Sequence, residues 1–203
     1  MRLIRAMLPA AFAAAAFTAT PAFAEPAAGL ALVEAAAQLN PGGYLWEEDN
    51  AAGPVSILIS LPDQRAYVYR GDALVAVSTV STGKAGNDTP VGIFTILQKK
   101  EVHKSNLYDD APMPFMQRLT WDGVAIHAGK NPGFPASHGC IRVPSAFAKK
   151  LFAATEMGAT VEVTDIAYSV DTPAPRSDMQ LTAEANAANA AGNGDLRTFL
   201  ARR

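Results

Sequence analysis

The chain has 203 residues, 49% of them hydrophobic, with 17 Lys and Arg against 19 Asp and Glu and a formal net charge of −2 at pH 7. That balance gives no electrostatic reason to expect nucleic acid as a partner, while the length suits one domain with appendages and a real core. A single cysteine excludes an internal disulfide, so its value must lie in packing, metal binding or reactivity.

The first 24 residues, MRLIRAMLPAAFAAAAFTATPAFA, place Arg2 and Arg5 ahead of an Ala-rich apolar run that ends on Ala22-Phe23-Ala24. This is the order of a secretory signal peptide, with Glu25 expected to open the mature chain. Pro9 and Pro21 bracket about a dozen apolar residues, short of the roughly 20 a bilayer needs, so no stable membrane span is expected after signal removal. Secretion places the lone thiol where thiols tend to be oxidised.

Residues 25–54 read as an N-terminal arm or linker, rich in Ala, Gly and Pro, with one short helix, AGLALVEAAAQL, closed by Asn40-Pro41-Gly42. The periodicity then changes to two. VSILISL (55–61), RAYVYR (65–70) and ALVAVSTV (73–80) are separated by PDQ and GD, which predicts a β-meander. GIFTILQKK (92–100) reads as one further strand, and Met116 to His127 as a hairpin closed around Trp121-Asp122-Gly123. Pro144-Ser145 introduces a helix, AFAKKLFAATEM, with Phe147, Leu151 and Phe152 on one side and Gly158 as its stop. ATVEVT (159–164) alternates as a final strand, so a core domain is expected over 55–165. The remainder, 166–203, includes AEANAANAAGNG and reads as a flexible Ala- and Asn-rich tail. A chain cut at about 170 is expected to keep its fold.

The cysteine lies in SHGCIRVP, residues 137–144. Upstream, VAIHAG ends a predicted strand at His127, and KNPGFPA supplies a proline-bearing loop able to fold the chain back so that Cys140 faces His127. If they meet, the imidazole can take the thiol proton and give a thiolate–imidazolium pair. Gly139, without a Cβ, lets the backbone turn tightly and aim the N–H groups of Gly139 and Cys140 at one point, where they would hold the oxyanion of a tetrahedral intermediate. The chemistry is then acyl transfer. The bland alternatives are a buried small hydrophobe at Cys140, a strand-end hydrogen bond at His127 and loop bracing at His138. Arg142 is either a surface charge or a bidentate partner for a carboxylate. Ser81, Thr82 and Gly83 read first as a turn, and KSNLYDDAPMPF, with Tyr108, Met113 and Phe115, as either a surface loop or a lid. His127, His138 and Cys140 include ligand types that zinc accepts, but without H-E-x-x-H or C-x-x-C they make a poor set. No metal or cofactor is expected.

The string SHGCIRV, preceded by STGKAGNDTPVGIFTI with its Thr89-Pro90-Val91-Gly92-Ile93-Phe94 segment, resembles the L,D-transpeptidase catalytic domain of bacterial cell-wall enzymes over residues 55–164. The resemblance implies a mainly β fold, a β-sandwich of mixed sheets with one principal helix. It makes Cys140 the nucleophile, His127 its activator and the backbone carbonyl of Ala128 the third catalytic element. His138, Gly139 and Arg142, with Ser137, would shape the oxyanion pocket and substrate groove. It further implies a periplasmic or cell-envelope enzyme that attacks the amide between a diamino acid and D-Ala in a peptidoglycan stem tetrapeptide. The resulting thioester passes to the amine of an acceptor stem as a 3→3 crosslink. Water as acceptor would give a carboxypeptidase. Some relatives attach or detach lipoproteins through the same acyl-enzyme, and a non-enzymatic peptidoglycan-binding module is the remaining alternative.

Overall fold

A computed structural model describes residues 26–47, 51–105 and 110–176. The expected signal peptide, Tyr108 and the AEANAANAAGNG stretch lie outside the described residues. Among the described residues, two helices and ten strands follow one another: α1 (Pro26–Ala37), β1 (Tyr44–Trp46), β2 (Val55–Ser60), β3 (Arg65–Arg70), β4 (Ala73–Thr79), β5 (Gly92–Thr95), β6 (Gln98–Lys100), β7 (Met116–Arg118), β8 (Ala125–Ala128), β9 (Ile141–Val143), α2 (Ser145–Ala154) and β10 (Thr160–Thr164). They form a six-stranded sheet in the order β1-β4-β3-β2-β10-β5 and a four-stranded sheet in the order β6-β7-β8-β9. Each is mixed, through the parallel pairs β10–β2 and β8–β9. The mainly β architecture implied by the sequence is therefore present.

The meander folds as its turns dictate. Asp63 accepts from Ser60 Oγ at 2.8 Å in the β2–β3 connection, and Gly71, at φ 58°, takes the left-handed position of the β3–β4 turn. Alternation sends Ile57, Ile59, Ala66 and Val68 into the main core against Ile126, Ile141, Val143, Phe147 and Leu151. Leu58, Tyr67, Tyr69 and Val77 point the other way, where they meet Leu32 and Ala36 of α1. All six residues of β2 are consequently buried, which is why that strand reads as a nearly continuous apolar run.

Four expectations need correction. GIFTILQKK is not one strand: Ile96 N–H donates to Ala159 O and Leu97 N–H to Arg118 O, so the chain changes sheets between β5 and β6. The segment before 55 is a packing arm rather than a linker, because β1 pairs antiparallel with β4. Helix α2 stops at Ala154, three residues early; Lys99 Nζ donates to the carbonyls of Phe152 and Thr155 at 2.6 Å each, closing the helix where its carbonyls are orphaned and its dipole favours a cation. Gly158 instead shapes the turn into β10, with φ 83°. Finally, the tail docks as far as Arg176. Tyr168 stacks on Tyr67 with ring centroids 3.8 Å apart, Tyr69 Oη donates to Thr172 O, Ala174 is buried and Arg176 pairs with Asp72. A cut at 170 removes part of this cover.

Candidate active site

The site grows from the parallel pair β8–β9. Parallel neighbours cannot be joined by a tight turn and need a crossover of about a dozen residues, here 129–140 and without a helix. The register pairs Ile126 with Ile141, His127 with Arg142 and Ala128 with Val143. Ile126, Ala128, Ile141 and Val143 belong to the main core. Strand alternation therefore turns His127 and Arg142 to the opposite face, and Cys140, two residues before Arg142, follows them. The crossover thus brings together residues that the sequence keeps apart. His127, His138, Cys140 and Arg142 line one cavity of about 610 Å3.

The crossover is held from a direction the sequence barely signals. Ser81 and Arg142 exchange both backbone hydrogen bonds, Lys84 N–H donates to Ser137 O, and Ser137 N–H donates to Thr82 O. Ser81 Oγ donates to Phe134 O at 2.8 Å. The triplet Ser81-Thr82-Gly83, expected as a turn, is instead a buried clamp along 134–142. A Cβ on Gly83 would lie 2.0 Å from Asn87 O, so only glycine fits there. Thr89 completes the clamp: its Oγ1 accepts from Gly83 N–H and donates to Gly139 O, each at 2.9 Å. The only sequence trace of this role is that Thr89 opens the Thr-Pro-x-Gly-x-Phe segment.

His127 is buried at 7% exposure, and its Nδ1 lies 2.8 Å from the Ala128 carbonyl. A carbonyl only accepts, so Nδ1 carries the proton and Nε2 keeps its lone pair. Burial lowers the His127 pKa below its ordinary value, opposed by the Ala128 hydrogen bond and assisted by the Arg142 charge. Burial raises that of the Cys140 thiol, opposed by the Ala125 backbone and by Arg142 and Arg118. Both shifts favour uncharged groups. Burial thus works against the thiolate–imidazolium pair expected from sequence. Consistently, Cys140 Sγ donates to Gly123 O at 3.5 Å.

The turn before Cys140 also differs from expectation. Gly139 has φ 110°, as its role in a tight turn demands, but its N–H donates to Ser137 Oγ at 3.1 Å and so is not presented to an oxyanion. Ser137 is 1% exposed, and its hydroxyl donates to Cys140 O. It therefore braces the turn rather than reaching for substrate. His138 is exposed and lines both cavities that Cys140 borders. Arg142 lies across Gly129, where an added Cβ would sit 3.0 Å from its Cγ. The absence of a side chain at Gly129 lets that arginine lie flat.

Residues 101–105 and 111–115 extend β6 and β7 as a flap: Phe115 N–H donates to Glu101 O, Met113 N–H to His103 O and Ser105 N–H to Ala111 O. Phe115 holds φ 54°, a strained value for a bulky residue. Met113 and Ser105 border both the larger cavity and a second one of about 400 Å3 that also reaches Cys140. The described parts of KSNLYDDAPMPF thus border both cavities that Cys140 lines. Among the described residues, no group of three or more His, Cys, Asp and Glu side chains gathers into a metal-binding set, and no helix is long and apolar enough to cross a membrane.

A family model described as the L,D-transpeptidase catalytic domain matches residues 54–163. No curated protein sequence matches the chain. Among solved structures, the chain is similar to an L,D-transpeptidase from Mycobacterium smegmatis, with 23% identity and a TM-score of 0.51 over 54% of this chain and 58% of that one. An L,D-transpeptidase from Stackebrandtia nassauensis gives 23% and 0.53 over 66% and 65%. A cysteine-to-serine variant of an Enterococcus faecium L,D-transpeptidase gives 26% and 0.50 over 56% and 50%. The chain thus spans between half and two thirds of the length of these structures.

Proposed function

The chain belongs to the L,D-transpeptidase catalytic domain family, and from that premise we propose that it is a secreted peptidoglycan L,D-transpeptidase acting in the cell envelope, with Cys140 as nucleophile and His127 as base. The observation that carries this reading is that Cys140 lines two cavities, of about 610 and 400 Å3. A transpeptidase must give both a donor and an acceptor access to one atom, and a binding module has no use for a thiol so placed.

Since burial disfavours both charged forms, the first step starts from thiol and neutral imidazole. Cys140 Sγ attacks the carbonyl between the diamino acid and D-Ala while its proton passes to His127 Nε2. The C–N bond breaks, the leaving amine takes that proton, and a thioester remains. An acceptor amine then attacks the thioester and gives its proton to the same nitrogen, and the displaced sulfur takes that proton back as the thiol. The Ala128 carbonyl stabilises the imidazolium formed transiently in each step, as a carboxylate does in a triad. With Gly139 N–H engaged by Ser137, the Cys140 N–H is left as the oxyanion donor of this turn, and Gly139 positions it. Arg142 beside the nucleophile supplies a guanidinium for a stem-peptide carboxylate.

Intact-mass analysis after incubation with a carbapenem, a class that acylates this family, is expected to show one adduct on Cys140; folded protein that stays unmodified would favour the binding module. Mass spectrometry of products from defined tetrapeptide stems then separates a crosslinked dimer from a trimmed tripeptide. The second outcome would assign the carboxypeptidase. A lipoprotein acceptor would use the same thioester and is read by adding one to the reaction.

A further inference from the structure

Trp121 keeps 74% of its surface accessible, whereas the other tryptophan, Trp46, packs edge-on against Phe147 in the core at 5.7 Å. Isolated exposed hydrophobic residues are ordinary; Trp121 differs because it lines the same 400 Å3 groove as Cys140, together with Arg118 and Asp122. The groove runs over the open face of β7 and β8, past Met116 and Ala125. Its reach follows from register. Ile141 pairs with Ile126 and Ala125 with Arg118, so Cys140 is level with that rung of the hairpin. Trp121 stands in the turn that follows β7, two residues before Gly123, whose carbonyl accepts from Cys140 Sγ at 3.5 Å, so at most about 7 Å of chain separates Trp121 from the residue that touches the nucleophile.

That placement has a chemical counterpart in the substrate proposed above, on which this inference rests. From the reacting carbonyl back to its sugar, a stem peptide crosses the diamino acid, two further residues and a lactyl ether, roughly 14 Å when fully extended and less when bent, so the sugar of a bound stem comes within reach of an indole on this turn. The geometry points to a saccharide-stacking subsite: Trp121 receives the apolar face of an N-acetylated aminosugar in the glycan strand that carries the stem peptide bound at Cys140. One face of such a pyranose presents polarised C–H groups, which meet the negative π-face of an indole favourably. The Asp122 carboxylate and Arg118 guanidinium, which line the same groove, offer an acceptor and donors to the hydroxyl and acetamido groups around the sugar edge.

The test uses the Cys140→Ala chain, which binds without turnover, titrated calorimetrically with a disaccharide-tetrapeptide and with the free tetrapeptide. The glycopeptide is expected to bind about tenfold more tightly, the scale of one aromatic stacking contact. Adding Trp121→Ala should remove that gain, and Trp121→Phe should keep most of it. Equal affinity for the two ligands in the parent, binding of neither, or an equal loss on both in Trp121→Ala overturns the inference. Turnover of free tetrapeptide by the unsubstituted chain reports on the functional reading separately. Turnover with equal affinities sinks the subsite alone, and a glycan preference without turnover sinks the transpeptidase alone.

Discussion

The six-stranded and four-stranded sheets are built to opposite specifications. The first is covered on both faces, by the main core on one side and by α1 with the Tyr168–Ala174 segment on the other. Its central strand β2 buries every residue. The second packs only one face into that core. Its other face carries His127, Cys140 and Arg142 against solvent-accessible cavities, at the cost of burying an imidazole and a thiol whose charged forms are disfavoured there. Regularity therefore marks the supporting sheet, and exception marks the working one: a crossover without a helix, a clamp from a distant loop and a strained Phe115.

This contrast is open to direct attack. The largest effect is expected from Cys140→Ala on the working sheet, which should abolish acyl transfer and leave the melting temperature near that of the parent, because sulfur chemistry and not packing is lost. Retained turnover would remove the cysteine from the mechanism. His127→Ala should lower kcat by about 10²- to 10⁴-fold, the range for a positioned base. In the parent, the acid limb of kcat/KM should fall below the ordinary histidine value of about 6.5, since a depressed pKa keeps the imidazole neutral, and able to accept a proton, to lower pH. A limb above 6.5 would point to a stabilised imidazolium instead.

On the supporting sheet the signs reverse. Leu58→Ala should cost about 2–5 kcal/mol of stability by cavity formation, with kcat at low temperature unchanged; a kcat loss without a stability loss would erase the distinction between the sheets. Deleting residues from 166 onward strips Tyr168 and Ala174 from β3 and should lower the melting temperature by several degrees, about 2–4 °C per kcal/mol for a domain of this size. A thermal midpoint that stays put would mean the segment covers the sheet without stabilising it.

The sequence is legible where one local rule suffices. The meander follows from alternation in RAYVYR and from its turn residues, and His127 and Cys140 stand out because a lone thiol beside His-Gly has few other uses. It is opaque where partners are distant. Strand β9 is three residues long and exists because β8 and Ser81 hydrogen-bond its two edges. GIFTILQKK carries a strand's composition throughout, and nothing local says that Ile96 and Leu97 will turn to different sheets. Ser81, Thr82 and Thr89 look like loop hydroxyls until the crossover they hold is in place. The tight turn at Gly139 is legible because glycine alone tolerates its φ of 110°, but the fate of its N–H depends on where the Ser137 hydroxyl lies.

Because α1 and the segment from Tyr168 to Ala174 both pack against the face of the six-stranded sheet turned away from the main core, an attachment point engineered into either lies at the back of the molecule. A tether, tag or immobilising surface joined there would hold the domain like a tool by its handle, with the cavities that Cys140 lines still open to a bulky polymeric substrate.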